Sequence, residues 1–206
     1  MQTYFLLLTV QIFTLAFAIR ISSFKKDAWY FYFLATFVNF ISFYNFNDFS
    51  IFDFIKNLKP FFNDLILPVL AILIAYKTKI TPQRITKNNI LQASAIIILS
   101  TIFMIFYSYI NLNTHLSYSI IIVITYFFGF LVFIGSVLLA YGYILGLLIS
   151  AICSLQVACM NLYFSISFGF FPSAYYLIIT TTFNILCFIT FLYGYNKNKK
   201  LLKDSK

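Results

Sequence analysis

Glutamate is absent from this chain, whose five acidic residues are all aspartates. The His-Glu-x-x-His zinc motif and the glutamate-rich helices of diiron proteins are therefore excluded. Histidine occurs once, as His115 in a short polar segment at 111–117. A serine dyad with Ser117 or Ser119 would lack both a motif and depth, so loop polarity is the simpler reading. The three cysteines, Cys153, Cys159 and Cys187, lie inside apolar runs and read as small packed residues rather than a disulfide or metal set. No lysine stands in the last apolar run to hold retinal, and no nucleotide-binding motif is present. No metal, no cofactor and no enzymatic activity are expected.

The largest absence is of charge. From Asn88 to Asn196 the chain runs 109 residues without Asp, Glu, Lys or Arg. A soluble domain needs such residues on its surface, so this stretch calls for a lipid bilayer, and at about 1.5 Å per residue it suffices for four crossings. With 62% hydrophobic and 9% charged residues over 206 positions, the remainder has the same character. One integral membrane domain spanning 1–206 is predicted, all-α and polytopic. The stretch Met1 to Thr9 lacks the basic flank of a cleaved signal peptide, so the first apolar run reads as a retained span.

Apolar runs and breakers place seven transmembrane helices near 3–19, 28–46, 60–76, 90–110, 116–138, 143–165 and 173–195, followed by a basic cytoplasmic tail at 197–206. The charges test this count independently. Arg20, Lys25 and Lys26 fall in the first loop, Lys77, Lys79, Arg84 and Lys87 in the third, and Lys197, Lys199, Lys200, Lys203 and Lys206 in the tail. All lie on one side if the N-terminus is out and the C-terminus in, as the positive-inside rule requires. The fifth loop, near Leu139 to Tyr143, shares that side yet is uncharged. Lys56 and Lys59 accompany Asp48, Asp53 and Asp64 in an outer segment that reads as interfacial. The net charge of +9 is thus a signature of orientation rather than of nucleic-acid binding. A bacterial inner membrane is the expected location, since no organelle-targeting signal is visible.

Glycine is scarce and confined to the second half, at 129, 135, 142, 146, 169 and 194. Gly142, Gly146, Ser150 and Ser154 follow at i+4 and form a ridge of small residues on the sixth helix, either a packing seam or a sliding one. Five mid-span amides stand out: Gln11, Asn39, Gln156, Asn161 and Asn184. An amide facing lipid would leave its donors and acceptors unsatisfied, so these face helices, water or a ligand. Tyr176, Thr180, Asn184, Cys187 and Phe191 share one face of the seventh helix. The candidate substrate-binding residues are Asn39, Gln156, Asn161, Tyr176 and Asn184, a set suited to an uncharged, water-soluble molecule with a ring and hydroxyls. Asp64, with Pro68 one turn further in, is either neutralised near the interface or forms a gate or cation site.

Three local features carry a family resemblance. They are Tyr143-Ile144-Leu145-Gly146 opening the sixth span, Tyr175-Tyr176 starting the seventh, and Leu192-Tyr193-Gly194-Tyr195 ending it before the basic tail. Ala28-Trp29-Tyr30 after the first basic loop is similar in placement. The chain resembles the Pnu-type vitamin transporters, relatives of the SWEET sugar transporters. That resemblance implies two three-helix bundles joined by a linker helix, and carriage of nicotinamide riboside, riboflavin or thiamine. It also implies that Asn184 is a ligand-binding amide. The expected function is membrane transport of a small neutral metabolite, with the lipid bilayer as constant partner and a homo-oligomer or a partner ATPase left open. The alternatives are an S-component of an energy-coupling transporter, a non-transporting signalling or assembly subunit and, least favoured, a lipid-modifying enzyme.

Overall fold

The computed structural model describes residues 2–43, 67–77, 81–95, 97–99, 101–102, 120–167 and 172–204. Among these, the regular elements are helices: α1 (Gln2–Ile21), α2 (Ala28–Phe43), α3 (Leu67–Lys77), α4 (Ile90–Leu99), α5 (Ile120–Ala140), α6 (Leu145–Ser167) and α7 (Pro172–Asp204). The segment with Asp48, Asp53, Lys56, Lys59 and Asp64, and the one with His115, lie outside the described residues. The most extensive pairings are α6 with α7 and α1 with α2, followed by α5 with α6 and α1 with α7. α3 joins through α2 and α5.

Two helical stretches, Leu145–Tyr163 and Leu177–Asp204, are long and apolar enough to cross a bilayer, yet each is only 28% buried. A soluble core helix of this composition would be covered nearly throughout. Here Leu155, Leu162, Ile166, Ile179, Leu186 and Ile189 all face outward.

What is buried collects where the helix ends meet. Phe17, Ala18 and Ile21 of α1, Ala28 and Trp29 of α2, Ala71 of α3, Ala140 of α5, Leu147 and Ala151 of α6, and Cys187 and Phe191 of α7 form one cluster. Phe17 sits at its centre, with ring centroids 5.4 Å from Trp29, 4.9 Å from Tyr32 and 6.2 Å from Phe191. Small residues at 18, 28, 71, 140 and 151 let the helices approach, and the aromatics fill what remains.

The α1–α2 turn is a Schellman ending. Lys25 N–H donates to the Arg20 carbonyl and Phe24 N–H to that of Ile21, with Phe24 left-handed at φ 49°. Glycine usually takes that position, because a side chain there costs about 1–2 kcal/mol. Phe24 is 95% buried in the central cluster, and burial of its ring offsets the strain. Arg20 closes the turn by an ion pair with Asp27.

The seventh helix corrects the sequence expectation. It does not stop near 195 but continues through Asp204, so the segment expected as a basic tail from 197 is helical. Phe191, Gly194, Asn198 and Leu202 lie on one face by i+3 and i+4 spacing, and that face meets the α1–α2 turn. A Cβ on Gly194 would come within 2.5 Å of the Ser22 Cβ, so glycine sets the approach. Asn198, 4% exposed, donates to the Ser22 carbonyl at 2.8 Å and to the Gly194 carbonyl at 2.7 Å. Ser22 Oγ lies 2.7 Å from the Ala18 carbonyl and 3.0 Å from that of Thr190.

The second junction joins residues 81–89 to the α5–α6 turn. Gln83 N–H donates to the Gly142 carbonyl at 2.9 Å, and Ile144 N–H to the Gln83 carbonyl at 3.1 Å. Gln83 Nε2 adds a bond to the Tyr141 carbonyl at 2.6 Å. Gly142 belongs to this turn, not to the sixth helix as expected from its spacing. Its φ of +83° and a would-be Cβ 2.5 Å from the Thr81 carbonyl both demand glycine. Fully buried Tyr143 reaches across to Gln92 Oε1 at 3.1 Å.

Replacing Asn198 with alanine leaves the buried Ser22 carbonyl without its donor, and should lower stability by about 1–3 kcal/mol. Thermal unfolding in detergent measures this, with Lys197→Ala on the exposed side expected to change stability by less than about 0.5 kcal/mol. A second expectation concerns acid. The hydrogen bond from Arg20 holds the Asp27 carboxyl below its ordinary 3.8. Stability from this pair is therefore complete above that value and is lost as pH falls through the lower folded value. Asp27→Asn should reduce the midpoint at neutral pH, and its difference from the parent should shrink as pH drops below about 4.

Candidate functional site

The neutral polar groups of α6 and α7 meet at Thr180. Its hydroxyl accepts from Asn161 Nδ2 at 3.1 Å and donates to the Leu177 carbonyl at 3.0 Å. Its own carbonyl accepts from Asn184 Nδ2 at 2.8 Å. Thr181 also donates to the Leu177 carbonyl, at 2.6 Å. Thr180 and Thr181 are buried, while Asn161 and Asn184 are half-buried at the margin. Two of the predicted residues, Asn161 and Asn184, are thus brought together through a threonine between them. The predicted face of α7 also appears, with Thr180, Cys187 and Phe191 all buried.

Gln156 and Asn39 stand apart from this group. Gln156 is half-buried on α6, and its side chain makes no hydrogen bond among the described residues. Asn39 is half-buried on α2, whose packing partners are α1 and α3 rather than the α6–α7 pair. Tyr176 lies within α7, but its side chain falls outside those described, and Asp64 lies outside altogether. Pro68 is fully buried near the start of α3. Glycine and serine on α6 form a seam against α5: a Cβ on Gly146 would meet the Gly135 carbonyl and Leu139 Cγ, both at 2.7 Å. Gly135 in turn faces Ile149 and Ser150. Contact this close is backbone-to-backbone packing.

Chemically the group offers amides and hydroxyls, with neither a nucleophile–base pair nor a carboxylate. Such groups donate and accept hydrogen bonds without carrying charge. Asn184 spends one N–H on its own helix and keeps its carbonyl oxygen unpaired among the described residues. Searches against family models, characterised proteins and solved structures find no match.

Sequence reasoning missed the polar groups that join the elements: Ser22, Gln83, Arg84 and Asn198. For Asn198 a signal was present, since it falls at i+4 from Gly194 and on the line of Phe191 and Leu202. Gln83 carried none, because its partner is backbone in a turn about sixty residues away.

Thr180→Val removes the hydroxyl that accepts from Asn161. In a double-mutant cycle with Asn161→Leu, the coupling should be about 0.6 kcal/mol and no more than about 1.7. Chemical or thermal unfolding in the same detergent measures it.

Proposed function

We propose that this chain is an integral membrane protein that carries a small, uncharged, water-soluble metabolite. The carrying observation is the half-buried amide pair Asn161–Asn184 around Thr180, set in a charge-free half, with Asn184 keeping an acceptor unpaired among the described residues. A wall of amides and hydroxyls recognises a vitamin, nucleoside or sugar-like molecule without the desolvation cost that a charged wall would add. Gln156 and Asn39 contribute further polar contacts in this proposal, and Asp64 with Pro68 serves as a gate or cation site. The outward-facing apolar residues of α6 and α7 support placement in a bilayer. The common junction of the α1–α2 turn, the 81–89 segment, the α5–α6 turn and the end of α7 supports one cytoplasmic side for all four. The resemblance to the Pnu-type transporters points the same way, and a bacterial inner membrane is the proposed location. Energy would come from a gradient, from trapping or from a partner ATPase.

One observation favours a second reading. Asn161 and Asn184 already bond within the α6–α7 pair, which is what a non-transporting signalling or assembly subunit would require. Proteoliposomes separate the two. Uptake of at least one compound from a labelled set of nicotinamide riboside, riboflavin, thiamine, nucleosides and sugars is expected. Asn184→Leu should lower that uptake at least about tenfold while shifting stability by no more than about 1 kcal/mol. If no compound is taken up and none raises the thermal midpoint, the second reading holds. A reporter fused after Lys206 should remain inside the cell.

A further inference from the structure

The exposed side of α7 changes character along one stripe. Ile185 and Ile189 are open to the outside at 39% and 55%, Tyr193 follows at 67%, and Lys197 and Lys200 continue the same line by i+4 and i+3 spacing. Beside the basic end of this stripe lies an open groove of about 760 Å³. Lys197, Lys199, Lys200 and Lys203 line it with Tyr193, and Arg84 enters from the 81–89 segment. No carboxylate is among its lining residues. Arg84 is anchored by donating to the Lys199 carbonyl, and its Nε–H is enclosed without an acceptor among the described residues.

We infer that this groove is a site for the phosphate of an anionic phospholipid headgroup. Five like charges brought together with no carboxylate in the lining repel one another, and a bound anion relieves that repulsion. A guanidinium beside a set of ammonium groups is suited to a phosphate. The apolar stripe identifies the source of that phosphate. An acyl chain laid along Ile185 and Ile189 would bring its headgroup past Tyr193, an aromatic of the kind found at the headgroup level, and into the lysine groove. A free phosphate would have no use for the stripe. The inference rests on membrane placement but not on transport, and resistance of the protein to alkaline-carbonate extraction tests that placement separately.

The test uses the full-length protein in neutral maltoside micelles, titrated with phosphatidylglycerol or phosphatidylcholine. Thermal unfolding and the lipid retained in native mass spectra are the readouts. Phosphatidylglycerol should raise the midpoint and stay bound, phosphatidylcholine should do neither, and inorganic phosphate alone should not reproduce the shift. Lys197→Gln combined with Lys200→Gln should weaken phosphatidylglycerol binding about 30-fold, and Lys200→Gln alone about 5-fold. Lys25→Gln with Lys26→Gln, at the α1–α2 turn, should leave it unchanged. Equal stabilisation by both lipids, full reproduction by inorganic phosphate, or undiminished binding in the groove variants would each overturn the inference.

Discussion

Asn198 gives one amide hydrogen to its own helix at Gly194 and the other to Ser22 in the α1–α2 turn, fixing the last helix to the first two. In lipid, apolar side chains gain nothing by leaving one apolar neighbour for another, so helices are held by close packing and by polar groups that find partners. Among the described residues, those that tie α7 to the α1–α2 turn stand at helix ends. Gly194 lets the backbones touch, Asn198 supplies the donors, and Phe191 and Leu202 extend the same face into the aromatic cluster. Remove the amide, and the contact between α7 and the α1–α2 turn loses its direction.

A parallel device operates between residues 81–89 and the α5–α6 turn. There the backbone itself supplies the bonds, and Gly142 and Gln83 shape the approach. The two junctions make the segment ends, rather than mid-helix residues, the places where sequence changes should be least tolerated. At α6–α7, by contrast, Asn161 and Asn184 are half-buried, and the Asn184 side-chain oxygen takes no donor among the described residues, a state compatible with exchange of partners.

Helix existence was legible because a charge-free, apolar run has few other ways to satisfy its backbone. The shared face of Thr180, Cys187 and Phe191 was legible too, since it follows from spacing alone. The end of α7 was not. Lysines at 197, 199, 200 and 203 signal water, and only a tertiary partner, Ser22, makes a helix with one wet face the better solution there. Gly142 deceived by falling in i+4 register with Gly146, when a left-handed turn was its actual role. Phe24 could not be foreseen at a left-handed position, because its strain is offset by burial that only the assembled cluster provides. Of the candidate site, the place of Asn184 one turn from Thr180 follows from spacing, but the approach of Asn161 to Thr180 and the separation of Asn39 depended on how the helices pack.

The segment 81–89 bonds to residues made long after it. Gln83 pairs with the turn at Gly142, and Arg84 reaches the carbonyl of Lys199, 115 positions further along. During synthesis, therefore, the polar groups of this stretch stay paired with water until α5 and α6 have been made, and its last bond waits for α7. The latch between the early and late parts of the chain is therefore set only when α7 has been made.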